Sequence, residues 1–362
     1  MSMIYNQDLI GKKQSVTDEI LLLNADQTPM LNLLGFSEPA TATTHVWYED
    51  EMFATKSAVT VAAAVDAVEL TVASVEPFRP DSVVSVGDEM LIVTAVNASS
   101  SKITVTRGHG ETTPAAITKD TEIEFMYIRG EEGAAAREAR HKQRKRVDNY
   151  TQIFDDSVML TDTAQTVAQY GISDLYNYEK AKKELELALQ LEKAIINGRK
   201  FDDGNVRQMR GIRSFIETNV TAATGAVTID MLNDISQKIY EAGGFATGGQ
   251  YSFIVPAKQK RKISDLSNDK LRVVQSEDSR GQSVDYLVND FGKFPITMNN
   301  NLQSDELLFV DTNRIKIRPL GDRGFHHKLL GVDGDRTKGM LVGEYTLEFQ
   351  QEKAHARIKG LA

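Results

Sequence analysis

Six histidines are the side chains best suited by type to hold a metal or move a proton: His45, His109, His141, His326, His327 and His355. None recurs as His-x-x-x-His or Glu-x-x-His, the spacings that place two ligands on one helix face, so a zinc or di-metal site is not expected. His326 and His327 are the only adjacent pair, and adjacent side chains rarely point at one ion. Asp202-Asp-Gly204 and Asp333-Gly-Asp335 look like pieces of calcium loops but lack the full acidic spacing and its later glutamate. They read as polar turns. Neither glycine-rich phosphate cradle nor a Gly-x-Ser-x-Gly nucleophile elbow is present. With no cysteine, disulfides, thiolate metal sites and thiol nucleophiles are excluded together. No catalytic, cofactor-binding or metal residue is expected, and the question moves from chemistry to assembly.

The residues that do stand out form a basic run: Arg137, Arg140, Lys142, Arg144, Lys145 and Arg146. Such a run can grip phosphate, form salt bridges with acidic surfaces of identical neighbours, or be a solvated face with no partner. It is short, carries little aromatic interleaving and sits in a chain of net charge −9, which favours identical neighbours over phosphate. A dedicated nucleic-acid binder normally carries a basic field. An acidic protein can still face DNA without gripping it. The 362 residues allow two or three domains with a real core, at an ordinary 41% hydrophobic and 26% charged. The beginning of the chain lacks the basic and apolar regions of a signal peptide, and no apolar run reaches the roughly 18–20 residues of a membrane helix. Assembly in a cytoplasm, with no membrane partner, is expected.

Residues 1–35 are polar apart from Ile20–Leu23 and Leu31–Leu34, with Pro29 breaking the pattern, and read as an arm that docks elsewhere. From Val59 to Phe125 valines lie among Ala, Thr and Ser without helical period. There Asp81–Val96 reads as a hairpin turning at Gly87-Asp88, and Lys102–Gly108 as another alternating strand. This predicts a small all-β module inserted into a loop. After the extended segment Val147–Phe154 comes a long helix, N-capped by Ser173 with Asp174 at its positive end and stopped at Gly198. Leu175, Tyr178, Ala181, Leu185, Ala188, Leu189 and Ile195 are its expected apolar face, and Glu179–Lys183 and Lys182–Glu186 its expected surface pairs. Helices and strands then alternate: a helix capped by Thr228, strands at 251–255, 271–274, 285–288, 294–298, 307–310 and 314–320, and a basic helix after Pro256. Residues 345–351 and 355–359 alternate apolar with charged and suggest a long, half-exposed strand pair beside the strut helix.

Arg137-Glu-Ala-Arg140, Tyr150-Thr-Gln-Ile-Phe154, Ala168-Gln-Tyr-Gly-Ile172, Asn197-Gly198 with Met209-Arg-Gly-Ile212, and Leu308–Leu320 occur in an order that resembles tailed-phage major capsid proteins of the Hong Kong 97 fold. Within that family the chain is most similar to the SU-ten-type podovirus branch. The resemblance covers nearly the whole chain. It implies an α+β capsid fold with an arm at 1–35, an extended E-loop at 36–160 containing the β module at 58–126, and a P-domain at 161–227 with its spine helix at 173–197. An A-domain at 228–313, with loops near Gly243–Gln250 and Asp278–Ser283 at the capsomer axes, and a C-terminal return at 314–362 complete it. Val86-Gly-Asp-Glu-Met-Leu and Val105-Thr-Arg-Gly-His-Gly look like modules that recur in phage structural proteins. The resemblance further implies a virion shell of hexamers and pentamers enclosing double-stranded DNA, with no catalysis; some members cross-link neighbours through a lysine and an asparagine, but no motif assigns those roles here and no covalent cross-link is expected. The expected partners are copies of the chain, a portal protein, a separate scaffolding protein, and packaged DNA met non-specifically on the inner face, with the β module reaching toward neighbouring subunits or a decoration protein. The rivals are an encapsulin-like compartment shell, a tail or baseplate component, and a metal-independent hydrolase. The β insertion counts against the first, the long helix and α/β part against the second, and the lack of a triad or paired carboxylates against the third.

Overall fold

A computed structural model describes residues 28–167, 174–266, 274–277, 283–332 and 334–362. The chain divides into two compact units, one of residues 1–47 with 146–362 and the other of residues 48–145. Along the chain come α1 (Pro29–Leu34), β1 (Thr44–Glu49), β2 (Lys56–Ala58), β3 (Glu69–Thr71), β4 (Ser82–Val86), β5 (Glu89–Asn97), β6 (Lys102–Thr106) and β7 (Glu122–Ile128). Next are β8 (Lys145–Tyr150), β9 (Gln152–Thr161), α2 (Asp162–Thr166), α3 (Leu175–Asn197), β10 (Phe201–Asp202), β11 (Arg207–Gln208), α4 (Ile212–Phe215) and β12 (Val220–Ala222). Then follow α5 (Ile229–Glu241), β13 (Tyr251–Val255), α6 (Ala257–Asp265), β14 (Val274–Glu277), β15 (Ser283–Asn289) and β16 (Gly292–Met298). The chain ends with β17 (Leu307–Asp311), β18 (Ile315–Pro319), β19 (His326–Val332), β20 (Arg336–Phe349) and β21 (Ala356–Lys359).

The smaller unit is a six-stranded sheet in the order β2-β7-β4-β5-β6-β3 around a core of Val, Leu and Ile with Phe78. Its hairpin β4–β5 turns at Gly87, whose φ of 57° is the left-handed value that the first position of a tight two-residue turn demands. The two recurrent-looking motifs meet here. Arg107 donates through Nε and Nη2 to the Glu89 carboxylate at 2.7 and 2.6 Å, with side chains only 7% and 3% exposed. The backbone N–H groups of Gly108 and Ala115 donate to the same carboxylate. Arg107 holds Glu89 below the usual carboxylate range. A buried pair of this geometry contributes little net stability but is costly to break from one side, by about 3–5 kcal/mol.

In the larger unit a seven-stranded sheet runs β12-β21-β17-β13-β16-β15-β14. Strands β13 and β17 are buried at every position, and the period of two sorts them between two cores. Phe253, Val255, Leu307 and Phe309 face a cluster with Leu232, Ile235 and Ile239 of α5. Ile254, Leu308 and Val310 face the other cluster with Leu187, Leu191 and Ile195 of α3. A second sheet, β18-β20-β19, adds β9 along β20 over ten register pairs and closes the α3 core.

Helix α3 is there and Ile195 is buried as expected, but the other expected details of its surface differ. Asp174, not Ser173, is the N-cap, its carboxylate accepting from Asn177 N–H at 3.0 Å; Ser173 lies outside the described residues. The buried face is Leu187, Leu191 and Ile195 with Glu192 and Ile196, whereas Ala181 is exposed and Leu185 and Leu189 are half-buried. Leucines at 185, 187, 189 and 191 fall on opposite sides of a helix, about 200° apart at each step of two. Local period therefore gives a helix without telling which side is covered. Lys183 pairs with Glu186 and Asp156, not Glu179, and Lys180 reaches Glu184.

The C-terminal strand pair is also corrected. β20 pairs with β9, β18 and β19, and β21 inserts between β12 and β17 of the other sheet, so the two never pair. From Leu341 to Phe349 β20 is buried throughout rather than half-exposed, because sheet partners flank it and α3 packs on it. Pro29 starts α1 rather than breaking it. The strand expected at 271–274 is seen at Val274–Glu277, with 271–273 outside the described residues. Most of the arm, the 168–172 motif and most of the 278–283 loop are outside them as well.

Gly198 ends α3 and Gly211 precedes α4, and Gly211 N–H donates to Gly198 C=O at 2.9 Å. A Cβ on Gly211 would lie 2.6 Å from Gly198 N and 2.7 Å from the carbonyl oxygens of Ala194 and Ile195, all backbone atoms. Gly211→Ala is therefore expected to destabilise the subunit by about 1–3 kcal/mol in urea unfolding. Gly225→Ala, where a Cβ meets open space, should leave the midpoint unchanged.

His355 is fully buried between Asp311 N–H, which donates to Nδ1 at 3.2 Å, and Gln350 C=O, which accepts from Nε2 at 3.1 Å. Burial pushes its pKa from 6.5 down to about 3. Since the folded value is the lower one, the stability it protects is complete above pH 6.5 and falls as pH drops toward 3, by up to about 1.4 kcal/mol per pH unit. The unassembled subunit should lose unfolding free energy between pH 7 and 5. His355→Gln should lower stability at pH 7 yet flatten that decline.

Candidate assembly interface

Residues 129–144 have neither helix nor strand, and all are exposed except the half-buried Lys142. The front of the basic run turns back onto its own unit. Arg140 stacks its guanidinium over Phe53 at 4.0 Å and donates to Glu76 C=O. Lys142 reaches Glu76 at 2.8 Å and Glu51 at 3.5 Å, which raises its pKa through the Glu76 contact first. Arg137 donates to the carbonyl of Arg129. Arg144 meets Asp50 only at 3.5 Å, with side chains 73% and 62% exposed, a contact worth little in water. Lys145 and Arg146, the first residues of β8, are exposed and have no side-chain partner among the described residues. Thus the six cations are brought into one segment but not into one role.

The histidines do not converge. His45 contacts Glu348 at 2.8 Å, His326 Nδ1 faces Gly324 C=O, His327 meets the Tyr176 hydroxyl at 2.8 Å, and His355 is the buried one. Among the described residues no group of three His, Asp or Glu side chains lies close enough to share a metal ion. Among the described residues no helix is long and apolar enough to cross a membrane.

Sequence reasoning missed the buried acids that position the assembly elements. Glu192, on the covered face of α3, accepts from Met30 and Leu31 N–H at 2.9 Å each and from Asn299 Nδ2 at 2.6 Å. One carboxylate thus caps α1 and holds the turn after β16. Burial raises its pKa, and the three N–H donors oppose that. Glu306 lies between two arginines, Arg213 of α4 and Arg357 of β21, each in bidentate contact, with three of the four distances at 2.5–2.6 Å. Burial pushes Glu348 up, but hydrogen bonds from His45 and Arg318 win and bring it to about 2. The available signal was weak: an isolated acid on an apolar helix face reads equally as a solvated position.

The family model described as SU10 major capsid protein matches residues 3–362. The major capsid protein of Pseudomonas phage PaMx41 is 31% identical over 370 residues, covering 92% of this chain and 87% of that one. The fold resembles the capsid of a native GTA particle (TM-score 0.55, 11% identity, 99% of this chain and 98% of that chain). It is equally similar to the cyanophage A-1(L) capsid (0.55, 11%, 98% of both chains) and close to the capsid of Myoviridae phage XM1 (0.51, 11%, 99% of both chains). At such identities the structures speak for the fold, and the sequence match speaks for the role. The chain belongs to the SU10 major capsid protein family, the shell-forming proteins of tailed phages.

Proposed function

We propose that the chain builds a closed Hong Kong 97-type shell of hexamers and pentamers around double-stranded DNA, without catalysis or a cofactor. In this reading residues 1–35 are the arm and 36–160 an E-loop carrying the β module at 58–126. Residues 161–227 are the P-domain, 228–313 the A-domain and 314–362 the return to the P-domain. The E-loop lies over the spine helix of a neighbouring copy, and the β module reaches toward neighbours or a decoration protein. Scaffolding and portal proteins act during assembly in the host cytoplasm, and DNA meets the inner face without sequence preference.

The observation that carries this reading is the segment 129–144 with the start of β8. This stretch has no helix or strand of its own, is exposed at all but one position, and leads into Lys145 and Arg146, which have no side-chain partner among the described residues, so it presents chain and charge to something outside the subunit. Single surface pairs contribute only ~0–1 kcal/mol. Closed symmetry repeats each one, so weak contacts suffice and misplaced subunits can leave again before the shell closes.

Electron microscopy of the purified protein should show closed shells or capsomers; a monodisperse small oligomer that never assembles would refute the reading. Reversing Arg144, Lys145 and Arg146 to glutamate should cut shell yield at least about tenfold, equivalent to ~1.4 kcal/mol, with unchanged circular dichroism and melting. Normal shells from that variant would remove the basic run from the mechanism.

A further inference from the structure

A polar cavity of about 310 Å³ opens where the end of α3, α4, the edge strand β12 and its neighbour β21 meet. Its charged lining is Arg199, Arg213, Arg357 and Lys359, with Glu217 the one acid. Every carboxylate around it is already engaged. Glu306, behind the wall, is held by Arg213 and Arg357. Glu217 is held by Arg210, and Glu352 accepts from the N–H groups of Glu217 and Thr218 and from the Thr218 hydroxyl. Arg199 and Lys359 are exposed and have no side-chain partner among the described residues. In a chain of net charge −9, two uncompensated cations at the mouth of a concave site backed by two fixed guanidinium groups are an unusual local excess.

We propose that this cavity is a socket for a carboxylate-bearing segment of a second copy of the chain, with Arg199 and Lys359 as its gripping residues. The inference rests on the shell reading above, since that is what brings copies together. Chemistry favours an acidic segment over DNA. Duplex phosphates recur every ~1.7 Å along the axis and are met by extended basic surfaces. A concave space of this volume instead admits one or two side-chain ends, and planar guanidinium groups match carboxylates in bidentate fashion. Any neighbour is the same acidic chain, so carboxylates are what it chiefly presents.

The test is Arg199→Glu with Lys359→Glu in the full chain, beside Arg199→Gln with Lys359→Gln. The unassembled subunit should melt as wild type, because neither side chain has a partner to lose among the described residues. Shell yield at matched concentration should fall about tenfold or more for the glutamate pair and less for the glutamine pair. Unassembled wild type should also bind fluorescent hexaglutamate more tightly than a short DNA duplex, and the glutamate pair should abolish that binding. Wild-type shell yield from the glutamate pair would overturn the proposal. So would a duplex that binds through Arg199 and Lys359 while hexaglutamate does not. If wild type itself forms no shells, the shell reading fails, and the peptide arm alone decides the socket: binding lost in the variant supports it, and no binding overturns it.

Discussion

The Glu192 carboxylate is the contact on which the larger unit's organisation depends. It leaves the covered face of α3, caps the first turn of α1 with both oxygens, and takes a third hydrogen bond from Asn299 beside the seven-stranded sheet. A buried carboxylate is costly unless its lone pairs are met, and here three N–H donors meet them. That requirement fixes geometry as much as energy. Helix α1 must present its N-terminus, α3 must present one particular turn, and the residue after β16 must stay at a fixed height. A helix of six residues has no stability of its own, so this contact and the packing of Met30 are what hold it.

The same pattern recurs across the molecule. Glu306 joins α4 to β21 through two arginines, Glu348 joins β20 to Arg318 and His45, and Asp311 pairs with Arg314 beside the buried Tyr251 hydroxyl. Glu89 does the corresponding work in the smaller unit. Buried ion pairs of this kind add little net stability compared with apolar packing, yet they reject every arrangement that leaves one partner alone. For a subunit that must meet its copies in a repeatable shape, that selectivity matters more than a few kcal/mol. The acids nearest the basic run and the cavity are engaged internally, which leaves Lys145, Arg146, Arg199 and Lys359 as cations facing outward.

Elements with a strong local signal were legible. The hairpin at Gly87, the helix capped by Thr228 and the continuous apolar runs of β13 and β17 follow from turn chemistry, capping and burial on both faces. The order of motifs pointed to a capsid protein before any coordinates, and the family match agrees. Legibility failed where the deciding partner is far away in sequence. The alternating leucines of α3 gave the wrong face because Leu187 and Leu191 are chosen by residues more than 100 positions distant, such as Leu347 of β20. The 345–351 and 355–359 segments looked like one strand pair because alternation does not say which strand lies opposite.

By itself the sequence determined the absence of thiol chemistry, the helical or extended character of the main segments, and the membership of the chain in a shell-forming family. The first two depend on residue types and on periods of 3.6 and 2, which are local; the third came from the resemblance of its ordered motifs to known capsid proteins. Only the tertiary structure decided which side of α3 is covered, why Gly198 and Gly211 must lack side chains, and which charges remain exposed. Those outcomes depend on what approaches from elsewhere in the chain. A buried acid and a solvated acid carry the same letter, and packing alone separates them.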